Sequence, residues 1–360
     1  MSENSMAAEN GSLLQHYQHC TLCPRNCGID RSVRQGFCGC GNKLKAARAG
    51  LHYYEEPFLS GTNGSGTVFF SGCSLGCIYC QNSPISRDGF GLEISEERLS
   101  QIFLEQQQRG AHNINLVTGT HFTPSIAKAL RDARARGLTL PMVWNSSGYE
   151  KPETLQMLQG LVDIFLPDFK TMSSQLGQRY MKAPDYPEWA GKSLETMVNM
   201  TGEAQFVPLG QKTADSSDAA YDGEGVLMIR GVVVRHLVIP GQLEDTKAVL
   251  RYLYETYGDR IWISLMSQYT PLGVFAEKES RDKAVMQDRN HKTDREELRR
   301  NYPELCRPVS YKEYDEAVEY AISLGIENCM IQEEETASDS FIPAFDGAGI
   351  LPEIAEPATN

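Results

Sequence analysis

Several features are scarce or missing in this sequence. No uninterrupted apolar stretch reaches the roughly 18 residues of a membrane span, and residues 1–5 are polar, unlike a secretory signal peptide. Basic residues are few: 34 Lys and Arg stand against 47 Asp and Glu, for a net charge of −13. Because Lys and Arg neutralise phosphates, this balance argues against non-specific nucleic-acid binding. We therefore expect a cytoplasmic protein that binds neither membranes nor nucleic acids.

The chain has 360 residues and ten cysteines. This length accommodates one large domain with an appendage. In a cytoplasmic chain, ten cysteines favour metal binding over disulfides. We predict an N-terminal cysteine-rich segment at 1–60, a main domain at 61–335 and a C-terminal tail at 336–360.

The main cysteine motif comprises Cys73, Cys77 and Cys80, with the spacing C-x3-C-x2-C. Iron–sulfur clusters normally take four thiolates, so three close cysteines without an adjacent fourth predict a cluster with one open iron. An amphipathic helix is the alternative, because positions i, i+4 and i+7 share a face. The glycines Gly72 and Gly76 argue against a helix, as does the strand-like run at 67–70, which precedes the motif.

The motif resembles that of the radical S-adenosylmethionine (SAM) superfamily. Its extended form, Cys77–Asn82, looks most like the activating enzymes of pyruvate formate-lyase, in particular the uncharacterised PflX-type branch. The resemblance spans about residues 20–332. It implies that Cys73, Cys77 and Cys80 hold a [4Fe-4S] cluster that reductively cleaves SAM to a 5′-deoxyadenosyl radical for hydrogen abstraction. It also implies an electron donor of the flavodoxin or ferredoxin type.

Strand-like and helix-like stretches alternate from residue 67 onward. Strands are predicted at 67–70, 113–118, 141–145, 162–166, 232–239 and 261–266. Helices are predicted at 95–109, 124–136, 152–158, 194–200 and 243–257. Six β–α repeats indicate parallel strands joined by crossover helices, an α/β fold. The family resemblance implies a partial, open (β/α)6 barrel.

Polar residues follow several predicted strands, and sites in parallel α/β folds form at the carboxyl ends of strands. Asp168 and Lys170 are two residues apart, so they should point to one side. Lys170 can pair with the SAM carboxylate, and Arg235 is a second carboxylate contact because its planar fork matches that group. Asp168 is a candidate contact for a cation or a polar group of SAM.

The resemblance implies further SAM contacts. Gly119 and Thr120 occupy the position of a Gly-Gly-Glu-like motif whose backbone holds the SAM ammonium, with His121 where Glu is usual. Ser146 belongs to a run that lies beside SAM in the activating enzymes. Tyr79 and Asn82 belong to the extended cysteine motif, and Asn82 is a candidate hydrogen-bond donor to the cluster sulfurs.

The N-terminal segment carries a second set of cysteines, Cys20, Cys23, Cys27, Cys38 and Cys40. Four thiolates suit a structural zinc ion or a second iron–sulfur cluster. The spacing does not match the bacterial ferredoxin run. Cys20, Cys23, Cys27 and Cys38 are the candidate ligands, with Cys40 as an alternative to Cys38. Free thiols that bind no metal are the other possibility.

Three other stretches carry weaker expectations. We predict a loop at 211–225. Residues 277–300 mix charges densely, which favours a solvated helix or loop, with a lid over substrate as the alternative. We expect the aromatic residues of 341–345 to dock on the barrel.

The substrate is the most open question. By resemblance, the leading hypothesis is hydrogen abstraction from a protein such as a glycyl-radical enzyme. A small molecule or peptide is the second hypothesis. A non-catalytic iron–sulfur electron carrier is the third, and it leaves Lys170 and Arg235 without a role.

Overall fold

We describe the fold from a computed structural model, which defines residues 15–209, 225–276, 295–332 and 343–352. Outside these ranges lie residues 211–224 of the predicted loop, 277–294 of the charged stretch and 341–342 of the tail. The described part of the charged stretch, from residue 295, begins with a helix.

Strands and helices alternate along most of the described chain. The strands are β1 (Leu44–His52), β2 (Ser65–Phe70), β3 (Leu92–Ile94), β4 (Ile114–Val117), β5 (Met142–Ser146), β6 (Ile164–Pro167), β7 (Gln205–Pro208), β8 (Val226–Leu237), β9 (Trp262–Met266) and β10 (Cys329–Ile331). The helices are α1 (Pro57–Ser60), α2 (Ser83–Ser86), α3 (Glu96–Gln108), α4 (Thr123–Ala135), α5 (Pro152–Gln156), α6 (Ser174–Met181), α7 (Tyr186–Thr201), α8 (Leu243–Tyr257), α9 (Arg295–Asn301) and α10 (Tyr311–Leu324).

The six predicted strands correspond to β2, β4, β5, β6, β8 and β9, and they pair in this order, all parallel. β10 adds a parallel strand beside β9, whereas β1 and β3 extend the other edge antiparallel. β7 pairs antiparallel with β8. Within the described residues the path ends at β3 and β10, so the sheet is open. The prediction of an α/β fold with an open, mostly parallel sheet is confirmed.

The interior of the curved sheet is filled near the amino ends of its strands. Phe58 and Leu59 of α1 pack there with Val143, Ile164 and Trp262, which lie at or near the first positions of their strands. The larger core lies where the helices cover the sheet. Because this packing fills the amino end, the carboxyl ends of the strands are left for polar side chains.

Part of the C-terminal tail packs against the sheet. Gly347 donates a backbone hydrogen bond to Ala47 of β1, and Ala49 donates one to Ala348. The Phe345 ring meets the Phe69 ring edge to face at 5.4 Å. The expected docking is thus observed for Phe345. Among the described helices, none combines the length and apolar character needed to cross a membrane.

Candidate active site

The three cysteines Cys73, Cys77 and Cys80 lie on a loop between β2 and α2, without helical structure. The backbone of Gly72 has φ +84°, a conformation that residues with a side chain rarely adopt. A Cβ atom at Gly72 would approach Cys40 Sγ to 2.4 Å and the Cys38 carbonyl oxygen to 2.5 Å. Glycine therefore lets the N-terminal segment pack closely on this loop, which we call the cluster loop (residues 72–80).

The cluster-loop thiols have a setting that suits metal binding. The pKa of the Cys77 thiol is raised to about 12, because the effect of burial exceeds the opposing effect of the positive charge of Lys170. The backbone N–H of Leu75 lies 3.4 Å from Cys73 Sγ, and the Ser86 hydroxyl lies 3.4 Å from Cys80 Sγ. Such donors stabilise thiolates bound to a metal. Because metal ligands must be deprotonated, a bound metal would offset the effect of burial on these thiols.

Among the described residues, no three His, Cys, Asp or Glu side chains converge closely enough to share one metal ion. An iron–sulfur cluster requires a wider arrangement of ligands than a single ion, because each thiolate binds a different iron and the ligand sulfurs lie farther apart. Three free, neighbouring thiols at the carboxyl end of a parallel strand fit a [4Fe-4S] cluster with one open iron.

Lys170 and Asp168 follow β6, and their side chains point to the same side, as predicted. Lys170 Nζ lies 2.7 Å from Asp168 Oδ2, and the Lys170 side chain is only 15% exposed. The Tyr186 hydroxyl holds this turn, accepting from the Lys170 backbone at 2.9 Å and donating to the Asp168 carbonyl. Lys170 lines one small cavity together with Tyr79 of the cluster loop, and its positive charge opposes the raising effect of burial on the pKa of Cys73 and Cys77. The structure therefore places Lys170 beside the cluster loop.

The Tyr79 ring makes edge-to-face contacts with Tyr180 at 5.7 Å and with Tyr269 at 6.3 Å. Asn82 precedes α2 without a side-chain capping bond. Ser86 is the observed side-chain donor to Cys80, and the prediction that Asn82 donates to the cluster sulfurs stays a prediction. Sequence inspection missed Ser86, because a serine after the motif carries no distinguishing pattern.

Thr120 and Ser146 meet at a carboxylate that the sequence did not indicate. Thr120 Oγ1 donates to Glu150 Oε1 at 2.8 Å, and Ser146 Oγ donates to Glu150 Oε2 at 2.5 Å. Trp144 Nε1 is a third donor, at 2.9 Å. Burial raises the pKa of Glu150, and these donors lower it. Glu150 thus joins the loops after β4 and β5, and the two hydroxyls serve this network.

Two neighbouring residues show why the loop after β4 is compact. A Cβ atom at Gly119 would lie 2.7 Å from Ile126 Cδ1 and 2.9 Å from Trp144 Cη2, so close packing requires glycine. His121 is buried, and its Nε2 lies 2.8 Å from the carbonyl oxygen of Ser71. The predicted SAM contacts of Gly119, Thr120 and Ser146 stay predictions. Because the two hydroxyls donate to Glu150, backbone groups are the atoms that remain for such contacts.

We expect Glu150→Ala to destabilise the protein by roughly 3 kcal/mol, because buried donors would lose their acceptor. Urea denaturation measures this loss. Glu153→Ala, at an exposed position of α5, is the control and should change the free energy of unfolding by no more than about 0.5 kcal/mol. Equal effects of both substitutions would contradict a structural role for the Glu150 network.

Arg235 on β8 binds two carboxylates of the chain itself. Its Nε donates to Glu56 Oε1 at 2.7 Å, and its Nη2 donates to both Glu56 and Glu55. Asn115 Nδ2 donates to the other Glu55 oxygen at 2.8 Å. The prediction that Arg235 contacts the SAM carboxylate therefore stays a prediction, since its observed partners are internal. No local pattern distinguished Glu55 and Glu56, which only the fold brings to β8.

The N-terminal cysteines lie against the cluster loop. Cys20, Cys23 and Cys38 are buried, and Cys27 is half-buried. The backbone N–H of Cys73 donates to the Cys38 carbonyl at 3.3 Å. The two sets of cysteines are therefore direct neighbours in the structure, although the sequence separates them.

Comparison with known proteins identifies the domain that carries this loop. The open parallel sheet with a cysteine loop after its β2 strand defines an α/β protein with three free thiols at the carboxyl end of a strand. Residues 67–202 match the family description "Radical SAM superfamily". This part of the chain is therefore similar to radical SAM superfamily domains.

Other similarities are more distant. The uncharacterised protein MJ0674 of Methanocaldococcus jannaschii is 24% identical over 313 residues, covering 85% of this chain and 75% of that protein. Streptococcus suis SuiB bound to S-adenosylmethionine has a TM-score of 0.42 at 12% identity, covering 73% of this chain and 49% of SuiB. Methylornithine synthase (PylB) has a TM-score of 0.42 at 10% identity, covering 92% and 78%. The chain spans about half the length of SuiB.

Proposed function

We propose that the protein is a radical SAM enzyme similar to the activating enzymes of pyruvate formate-lyase. The observation that carries the proposal is the cluster loop, with three neighbouring thiols at a strand end and Lys170 beside them. Cys73, Cys77 and Cys80 would hold a [4Fe-4S] cluster there, which, once reduced by an electron donor, would supply the electron that splits SAM into methionine and a 5′-deoxyadenosyl radical. The similarity of residues 67–202 to the superfamily supports this reaction class.

The chain's own residues would bind and orient the cosubstrate. Cys73, Cys77 and Cys80 hold the cluster, while Lys170 attracts the carboxylate of SAM. A lysine ammonium has three N–H donors, and one of them is directed at Asp168. Asp168 therefore aims the ammonium, and the aromatic contacts of Tyr79 shield this region from water.

Lys170→Met should raise the KM for SAM about 10- to 100-fold, since a hydrogen bond to a charged group contributes about 1.5–3 kcal/mol. Steady-state SAM cleavage measures this change, with thermal unfolding as a check on folding. Lys192→Met on α7 is the matched control, because Lys192 pairs with Glu188 at an exposed position. An unchanged KM in Lys170→Met would refute the assigned contact.

The reaction itself is tested with the full-length protein, reconstituted with iron and sulfide without oxygen. With SAM and dithionite we expect methionine and 5′-deoxyadenosine in equal amounts, and no cleavage without the reductant. Cluster-loaded protein that forms no deoxyadenosine would be an electron carrier, and the proposal would be wrong.

The proposed substrate is a glycyl-radical enzyme, and the proposed electron donor is a flavodoxin or ferredoxin. The support for this subtype is the sequence resemblance, which includes Asp168, Lys170 and the run Arg235–Gly241. The test incubates the reduced protein and SAM with the glycyl-radical enzyme of the same organism. A glycyl signal in the electron paramagnetic resonance spectrum supports activation, and a partner lacking the reactive glycine is the control. SAM cleavage without that signal would favour a small molecule or peptide.

A further inference from the structure

The N-terminal segment, residues 15–43, has little regular structure of its own and is held largely by hydrogen bonds to the rest of the chain. Its one regular element is a 3₁₀ turn at Gln15–Tyr17. Its own apolar cluster contains three buried residues, Tyr17, Cys20 and Leu22. Its five cysteines are all free thiols, so no disulfide contributes. Small units with so little core usually depend on a disulfide or a structural metal.

Four thiols of this segment form one neighbourhood. Backbone hydrogen bonds from Gly28 to Cys20 and from Cys20 to Ile29, both 2.9 Å, fold the chain back on itself. A Cβ atom at Gly36 would lie 3.5 Å from Cys27 Sγ and 3.5 Å from Cys38 Sγ, so these sulfurs are at most twice that distance apart. The Asn26 backbone N–H donates to the Cys23 carbonyl at 3.1 Å, which holds Cys23 beside the turn that carries Cys27.

Backbone donors also point at these sulfurs. The Phe37 N–H lies 3.5 Å from Cys27 Sγ, and the backbone N–H of Arg25 hydrogen-bonds to Cys23. Hydrogen bonds of this kind orient metal-bound thiolates and stabilise their charge. The Cys40 thiol interacts with the Cys38 thiol and also donates to the carbonyl oxygen of Ser71 at 3.2 Å, so Cys40 already has a hydrogen-bond acceptor outside this group.

We propose that Cys20, Cys23, Cys27 and Cys38 bind a second metal centre through four thiolates. Sets of four thiolates take zinc or iron–sulfur clusters. Within the described residues, no three ligand side chains converge on one ion, so a bound metal would draw these sulfurs together. Metal analysis distinguishes a zinc ion from a cluster.

This centre would also anchor the cluster loop. The Cys38 carbonyl accepts from the Cys73 backbone, so candidate ligands of the two centres are directly hydrogen-bonded. Arg25 lies between Cys23 and Cys27 in the chain, and its guanidinium donates to the carbonyls of Ser74 and Leu75 at 2.9 and 3.0 Å. Loss of the N-terminal metal should thus loosen the cluster loop.

The first test counts metal in a variant that lacks the cluster-loop ligands, Cys73→Ala/Cys77→Ala/Cys80→Ala. We expect the N-terminal centre alone to contribute about four irons, or about one zinc, per chain. Adding Cys20→Ser or Cys23→Ser should remove this metal, whereas adding Cys306→Ser or Cys329→Ser should leave it in place. Iron with sulfide identifies a cluster, and zinc identifies a single ion. A background variant without metal, or metal unaffected by Cys20→Ser and Cys23→Ser, overturns the proposal.

A second test uses the unmodified holoprotein, so that misfolding of a variant cannot decide the outcome. Cys27 and Cys306 are both half-buried. Under brief iodoacetamide treatment we expect Cys27 to be protected relative to Cys306, and a chelator should abolish that protection. Alkylation of Cys27 at the Cys306 rate without a chelator would overturn the proposal. Neither test depends on SAM cleavage, so the proposed function can fail independently.

Discussion

Replacing Cys73, Cys77 or Cys80 by alanine is expected to reduce SAM cleavage below detection. An open cluster has three protein ligands, each on a different iron, so the loss of one thiolate leaves a second iron without protein support. The described contacts of these sulfurs involve backbone N–H groups, a hydroxyl and Lys170, none of which can replace a thiolate. Iron quantification and deoxyadenosine formation should fall together.

Alanine is a better replacement than serine for this test, because Cys77 is buried and an added hydroxyl there would need a partner. Thermal unfolding separates loss of the cluster from loss of the fold. Cys306→Ala is the matched control, since Cys306 is also half-buried, like Cys73 and Cys80, but lies far from the motif in sequence. It should retain iron and activity. A Cys77→Ala protein that still cleaves SAM would exclude the cluster loop as the catalytic centre.

Arg235→Ala should destabilise the protein by about 3–5 kcal/mol, the usual cost of removing one partner from a buried ion pair. Glu55 and Glu56 have side chains only 6% and 5% exposed, and both rely on Arg235. Burial raises the pKa of Glu56, but the Arg235 charge and hydrogen bonds outweigh this and hold it below its usual value. Without Arg235 the two carboxylates would face each other in the interior of the sheet.

The effect of Arg235→Ala should depend on pH. In the unmodified protein the lowered pKa of Glu56 contributes stability above the pKa of the unfolded chain, and this contribution disappears as the pH falls through the folded value. The difference between the two proteins should therefore be larger at neutral pH than in strong acid, at a pH well below the usual pKa of a glutamate. Guanidinium denaturation at both pH values measures it.

Two further variants make the Arg235 result interpretable. Arg300→Ala removes an exposed pair with Glu296 and should cost less than about 1 kcal/mol. Glu55→Gln/Glu56→Gln/Arg235→Met removes all three charges and should recover part of the loss, because no unpaired carboxylate remains. If Arg235→Ala costs no more than Arg300→Ala, the buried ion pair does not stabilise the fold.

Local patterns in the sequence predicted the sheet and the cluster loop. Alternation of apolar runs and helical periodicity placed six parallel strands, because burial on both faces leaves a continuous apolar signature. The spacing of Cys73, Cys77 and Cys80 predicted a metal loop, and the glycines excluded a helix there. The two-residue period of a strand placed Asp168 and Lys170 on one side. Each of these features depends on residues that are close together in the chain.

Only the tertiary structure revealed the partners of the polar strand-end residues. Glu150 accepts from Thr120, thirty positions earlier in the chain, and Arg235 binds Glu55 and Glu56 across an even longer separation. The contact between Cys38 and Cys73 likewise joins separate segments. An isolated Glu or Arg carries no periodic signal, and its partner is set by which strand ends the fold brings together. The cysteine loop was therefore predictable from the local sequence, whereas only the folded chain revealed the side chains that surround it.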